Sequence, residues 1–256
     1  MMGEPLQELI ESTRDLNQSV ETKINDINNK VTSAKKDFED FAKKLNVISG
    51  FEAINYNGDF MDTVEIKNSK GEANIFPVGL GMSTKRNDCV RAEMIPVISG
   101  EDPGTRNPEA IELLKFMGIG DVKYFSEDFN IMKITITDTS FINLEHYDFY
   151  IPEQHVKCSP SYTYMAYYKT IGDFGVSYLG NSQGKWERAF LQNSHTSPGD
   201  YIHIDLNFSD NVKIGDILYL ALPTICTGLF PKEYMHGNLY NMRENHMRSH
   251  HPRTTE

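Results

Sequence analysis

Two patterns predict a mainly β protein headed by an N-terminal α-helical coiled coil. Residues 6–48 carry an apolar stripe in steps of three and four, and from Phe129 onward apolar and polar residues alternate in short runs. Gly, Pro, Asn and Ser separate those runs, which makes the second half an antiparallel β-sandwich or barrel.

The stripe runs through Leu6, Leu9, Thr13, Leu16, Val20, Ile24, Ile27, Val31, Ala34, Phe38, Phe41, Leu45 and Ile48, with polar residues between. So thin an apolar edge is a seam, and a seam is buried only against further copies of the same chain. Leu9, Leu16, Val20, Ile24, Ile27, Val31, Phe38, Phe41 and Leu45 are its core positions. One additional four-residue step between Val20 and Ile24 is a stutter, which locally unwinds the supercoil without breaking the helix. At 1.5 Å per residue the rod spans on the order of 60 Å. Ser49-Gly50 marks its end, because Gly is the usual residue just past a helix C-terminus.

Four segments follow from the change of pattern: a stalk over 1–49, a connector over 50–127, a β-sandwich head over 128–230 and an irregular His- and Arg-rich tail over 231–256. In the connector, Tyr56-Asn57-Gly58-Asp59 and Asn68-Ser69-Lys70-Gly71 are hairpin turn signals. Asn107-Pro108 to Gly118 has a cap, a Pro at the first helical position and a terminal Gly, and is a short helix. In the head, Met132, Ile134 and Ile136 share a face. Tyr162, Tyr164 and Tyr168 share one face of their strand and Tyr167 takes the other. The run Ile217 to Leu222 is apolar on both faces, as a central strand must be.

Composition excludes several classes of function. The formal charge of -11, with no cluster of Lys and Arg, argues against nucleic acid as a partner. The longest apolar run is Ile217 to Leu222, too short for membrane insertion. A hydrophobic fraction of 39% and a mean hydropathy of -0.46 fit a chain that is part thin rod. The opening Met1-Met2-Gly3-Glu4-Pro5 has neither the basic nor the apolar part of a secretory signal, so synthesis in a cytoplasm is expected. Cys89, Cys158 and Cys226 are odd in number and far apart, which argues against a disulfide framework or a thiolate metal site.

The run Tyr162-Thr163-Tyr164-Met165-Ala166-Tyr167-Tyr168-Lys169-Thr170, the lone Trp186, and Gly215-Asp216-Ile217-Leu218-Tyr219-Leu220-Ala221-Leu222-Pro223 closing at Thr227-Gly228 resemble the jelly-roll carbohydrate-binding modules of xylanases and phage tail proteins. With the coiled coil in front, the whole chain resembles a tail fibre or receptor-binding protein of a tailed bacteriophage. That resemblance implies a homotrimer located in the virion tail and made in the host cytoplasm. It also implies contact with other virion tail proteins and attachment to host cell-surface polysaccharide. Residues 51–108 match no pattern of that family.

Sugars stack their C–H faces on exposed aromatic rings while polar side chains take the hydroxyls. If Ile202, Ile204, Leu206 and Phe208 face the core, Tyr201, His203, Asp205 and Asn207 face the other way. Tyr201, His203 and Asp205, with Trp186 and Tyr178, are the candidate glycan platform. The competing expectation is that Trp186 sits in the sandwich core and Tyr201 pairs across strands. Asp216, after Gly215, is a turn residue rather than a metal ligand, and no cofactor or metal is expected. His246 and His250 stand one helical turn apart in the tail, which is expected to be a terminus rather than a chelate. No G-x-S-x-G and no Cys/His signature is present, so the reading is a non-catalytic adhesin. A short polysaccharide depolymerase or esterase and a structural virion adaptor are the alternatives.

Overall fold

The structure is a computed structural model that describes residues 3–49, 51–82, 87–140, 149–151, 161–194 and 204–239; side chains are not described at 4–6, 41–49, 82, 149, 150 and 194. The chain divides into two compact units after Gly50.

The first unit is one helix, α1 (Glu4–Ser49), of 46 residues. No Gly or Pro interrupts the sequence between Leu6 and Ser49, and Pro5 stands in the first turn, where its missing N–H is not needed. Thr13, Thr22 and Thr32 turn their hydroxyls back onto the carbonyls of Leu9, Gln18 and Asn28. Every residue from Gln7 to Asp40 is exposed. The seam residues Leu9, Leu16, Val20, Ile24, Ile27, Val31 and Phe38 are between 46% and 70% exposed, and Ile10, beside Leu9, is 52% exposed. The side chains of Phe41 and Leu45 lie outside the described residues.

The second unit is mainly antiparallel sheet. A five-stranded sheet has the order β4 (Val90–Val97), β5 (Phe129–Ile136), β10 (Ile217–Thr227), β7 (Ser161–Ile171) and β8 (Glu187–Ser194). A three-stranded sheet has β6 (Phe149–Ile151) between β3 (Gly81–Met82) and β9 (Ile204–Leu206), and β1 (Thr63–Lys67) pairs with β2 (Ala73–Pro77) as a hairpin. Asn68 makes that turn: its Oδ1 accepts from Lys70 N and Glu72 N, and Gly71 takes φ 80°.

Both faces of the large sheet are covered, and its middle strand is buried at every residue but the two ends. On one face Ile134, Tyr164, Tyr168, Leu218 and Leu220 pack with Phe76, Ile151, Ile204, Leu206 and Phe208 from the smaller sheets and loops. On the other, Ile131, Tyr167, Tyr219 and Ala221 pack with Ala110, Leu113 and Leu114 of α2 (Pro108–Phe116). The parity expected of Tyr162, Tyr164, Tyr167 and Tyr168 is the observed one. Asn107 caps α2, its side chain accepting from Glu109 N, and Met117 and Gly118 close the helix.

In the segment expected to be a connector of short strands plus one helix, strand β4 pairs with β5 over eight positions, from Val90↔Ile136 to Val97↔Phe129, inside the unit that runs from Phe51 onward. The Asn57-Gly58 pair makes no hairpin. Asn55, Asn57 and Asp59 are buried: Asn55 donates to Pro223 O, Asn57 donates to Asp62 O and Val78 O, and Asp59 Oδ1 accepts from Met61 N. Asn55 answers a specific defect. The register of β10 against β7 shifts between Ala221 and Thr224, where Leu222 takes φ 49° and Pro223 has no N–H to give. Asn55 donates to Pro223 O at 2.9 Å and accepts from Ile225 N at 2.7 Å, so the bulge stays hydrogen-bonded.

Candidate functional site

The sequence candidates separate in space. Ile204 and Leu206 are buried and Asp205 between them is half-buried, the alternation expected of that strand. Tyr178 stands on a tight turn, where Val176 N donates to Gly180 O and Gly180 N to Val176 O. It takes φ 62° and is 51% exposed, so an aromatic ring occupies a left-handed position that favours Gly or Asn. Ser177 ties that turn to β9: its Oγ donates to Asp205 O and accepts from Asn207 N. Ser177 N donates to Asn207 O at 2.9 Å. Tyr178 and Asp205 therefore belong to one rim.

That rim is tied together by hydrogen bonds between its loops. Gly175 N donates to Ser209 Oγ and Ser209 N to Gly175 O, both at 2.9 Å. Asn211 donates to Asp173 O, and Asn181 donates to Asp173 Oδ1 at 3.5 Å. Asp216 closes the neighbouring turn by accepting from Lys213 N at 2.8 Å, the role expected of it. A Cβ on Gly172 would meet its carboxylate at 2.2 Å, so Gly172 lets this turn lie against β7.

Trp186 is elsewhere. It is 5% exposed, in the cluster beneath α2, with its ring 6.2 Å from that of Tyr219. A buried indole offers no face to a sugar, so the observed placement is the competing one, in the core. The helix forces this: Ala110, Leu113 and Leu114 cover the face of the sheet on which Trp186 lies. Among the described residues nothing accepts from its Nε1. Tyr201 and His203 lie outside the described residues, as do Cys158, His246 and His250.

Two polar arrangements were not legible in the sequence. Lys169 is buried on β7, and its Nζ reaches Glu109 at 2.9 Å and Glu112 at 2.6 Å on α2. Burial opposes its charge, but the hydrogen bonds to Glu112 and Glu109 hold its pKa above the ordinary lysine value. The other is a strap after β10. Phe230 N donates to Thr163 Oγ1, Arg188 donates to Lys232 O and Tyr234 O, and Tyr167 Oη bonds both N and O of His236. Burial lowers the His236 imidazole to about 4 and raises the Cys226 thiol to about 12, so the first is neutral and the second is no nucleophile at neutral pH.

Among the described residues no group of His, Cys, Asp and Glu is arranged to hold a metal, and no helix is long and apolar enough to cross a membrane. Compared with known proteins, the chain matches no family model, no curated sequence and no solved structure.

Proposed function

We propose that this chain is a receptor-binding fibre of a tailed bacteriophage, a homotrimer that attaches the virion to host-surface polysaccharide without cleaving it. The observation that carries the oligomer is the stalk: seven seam side chains, from Leu9 to Phe38, are about half exposed or more along a helix of 46 residues. Aligned copies bury that stripe, at about 25 cal/mol per Å² removed from water. A jelly-roll head is supported by two sheets that share one core, with Ile151, Ile204 and Leu206 against Ile134, Tyr164 and Leu218. The glycan surface in this reading is the rim of Tyr178 and Asp205. Three weak sites on one rod act together through high effective concentration. The phage setting rests on the resemblance of the strand set and its coiled-coil leader.

Native mass spectrometry at micromolar concentration tests the stalk. A trimer is expected, and a stable monomer overturns the reading. A glycan array probed with the intact protein tests the head, where a blank array leaves only a structural role.

A further inference from the structure

Arg106 is out of place for a charged residue. It is 3% exposed, and its Nη2 donates to three backbone carbonyls, Glu101 O at 2.9 Å, Val122 O at 3.0 Å and Lys123 O at 3.0 Å. Among the described residues no carboxylate pairs with it, and its Nε and Nη1 are buried without an acceptor. Burying a guanidinium on such terms is costly. What that cost secures is the join of two surface loops, residues 98–106 and 119–125. Gly100 N donates to Lys123 O at 2.8 Å, Ser99 Oγ to Phe125 O at 2.7 Å, and the guanidinium lies 5.3 Å from the Phe125 ring centroid.

The clamp delivers one side chain to the surface. Tyr124 is 71% exposed, the most exposed aromatic among the described residues of the second unit. Its ring lies against the bare Cα of Gly100, where a Cβ would approach Cε1 to 3.4 Å. Gly100 takes φ 93°, which other residues rarely adopt, so the seat is specific to Gly. Lys123 holds its Nζ 5.8 Å from the ring centroid, and Glu101, Asp102 and Asp121 stand on the same two loops. An exposed ring whose flanking backbone is fixed by buried bonds is a preorganised binding surface.

We propose that Tyr124 and Lys123 form a second carbohydrate site, remote in the chain from Tyr178, which takes a neutral pyranose. The C–H face of the sugar stacks on the ring, Lys123 donates to a sugar oxygen, and the neighbouring carboxylates accept from its hydroxyls. Three acids on the same two loops as Lys123, in a chain of net charge -11, disfavour a carboxylated sugar. A peptide needs a groove or an open strand edge, and these loops present a single ring. The proposal rests on reading the head as glycan-binding.

Affinity electrophoresis of the intact protein through gels containing dextran, mannan or galactan, with polygalacturonate and polyproline as comparisons, tests it. Retardation by at least one neutral polymer is expected. Tyr124→Ala should weaken it about threefold to tenfold, and Tyr124→Phe should restore it. Retention of wild type with no change in Tyr124→Ala, or retention by polygalacturonate or polyproline alone, overturns this site. Wild type held by no polymer removes the glycan reading of the whole head. Loss in Tyr178→Ala with none in Tyr124→Ala keeps that reading and rejects the second site.

Discussion

The rings of Tyr167 and His236 stack with centroids 4.6 Å apart and planes 9° from parallel. The same tyrosine holds the backbone of that histidine, and His236 Nε2 lies 3.2 Å from Leu222 O at the bulge of β10. One pair of residues thus fastens the strap after β10 to β7 and β10.

Acid should release that fastening. His236 has a folded pKa of about 4, lowered chiefly by burial, with the nearby charge of Arg188 adding to it, against about 6.5 unfolded. The unfolded chain therefore binds the extra proton first. The loss begins below about pH 6.5, grows as pH falls to 4 and levels off below it, roughly 3 kcal/mol in all. Urea unfolding followed from pH 7 to pH 4 should show this decline, and His236→Phe, which keeps a ring on Tyr167 without a titrating group, should flatten it. An equal slope in both proteins removes His236 as its source.

Trp186 should matter to stability rather than to binding. Trp186→Ala empties a site beneath α2 and should cost about 3–5 kcal/mol. Trp186→Phe removes an indole N–H that no described residue accepts and keeps most of the apolar surface, so it should cost far less. Thermal unfolding of the two variants checks the order. Equal losses show that the indole N–H has an acceptor.

Much of the head could be read from alternation alone, because each strand has a defined inside. Ile217 to Leu222 is apolar on both faces since α2 covers one side of the sheet and the smaller strands cover the other. The pattern of Met132, Ile134 and Ile136 matched β5 for the same reason. Trp186 was open to two readings because it precedes β8 and no period fixes its direction. The strap was illegible because its bonds run from Arg188, Tyr167 and Thr163 to backbone groups, and such partners leave no sequence pattern. Arg106 and Tyr124 were missed for a related reason. The first bonds carbonyls only, and the second is defined by the glycine beneath it.

The Lys169 cluster joins α2 to the sheet through charge. Lys169→Ala leaves Glu109 facing Tyr219 without its cation and should destabilise by about 3 kcal/mol or more, whereas Lys169→Met, with a stem of similar length, should cost less. Glu112 is 55% exposed at its side chain, so Glu112→Gln should change little. Chemical denaturation of the three variants gives the ranking, and a large loss in Glu112→Gln contradicts it.

The seam offers the sharpest test of the stalk. Ile24 follows the stutter and is 50% exposed on the helix alone, so an oligomer built on the stripe buries it. Ile24→Asp puts a charge there, losing about 1.5–3 kcal/mol of apolar burial in each copy and adding repulsion between copies. Asn25→Asp adds the same charge one residue off the stripe. The first variant should sediment as a monomer with reduced helical ellipticity, while the thermal transition of the head stays in place, because the helix and residues from Phe51 onward are separate compact units. The second should sediment as wild type. If both variants keep the wild-type mass, the stripe is not the contact between copies, and the exposed leucines and isoleucines of α1 require another partner.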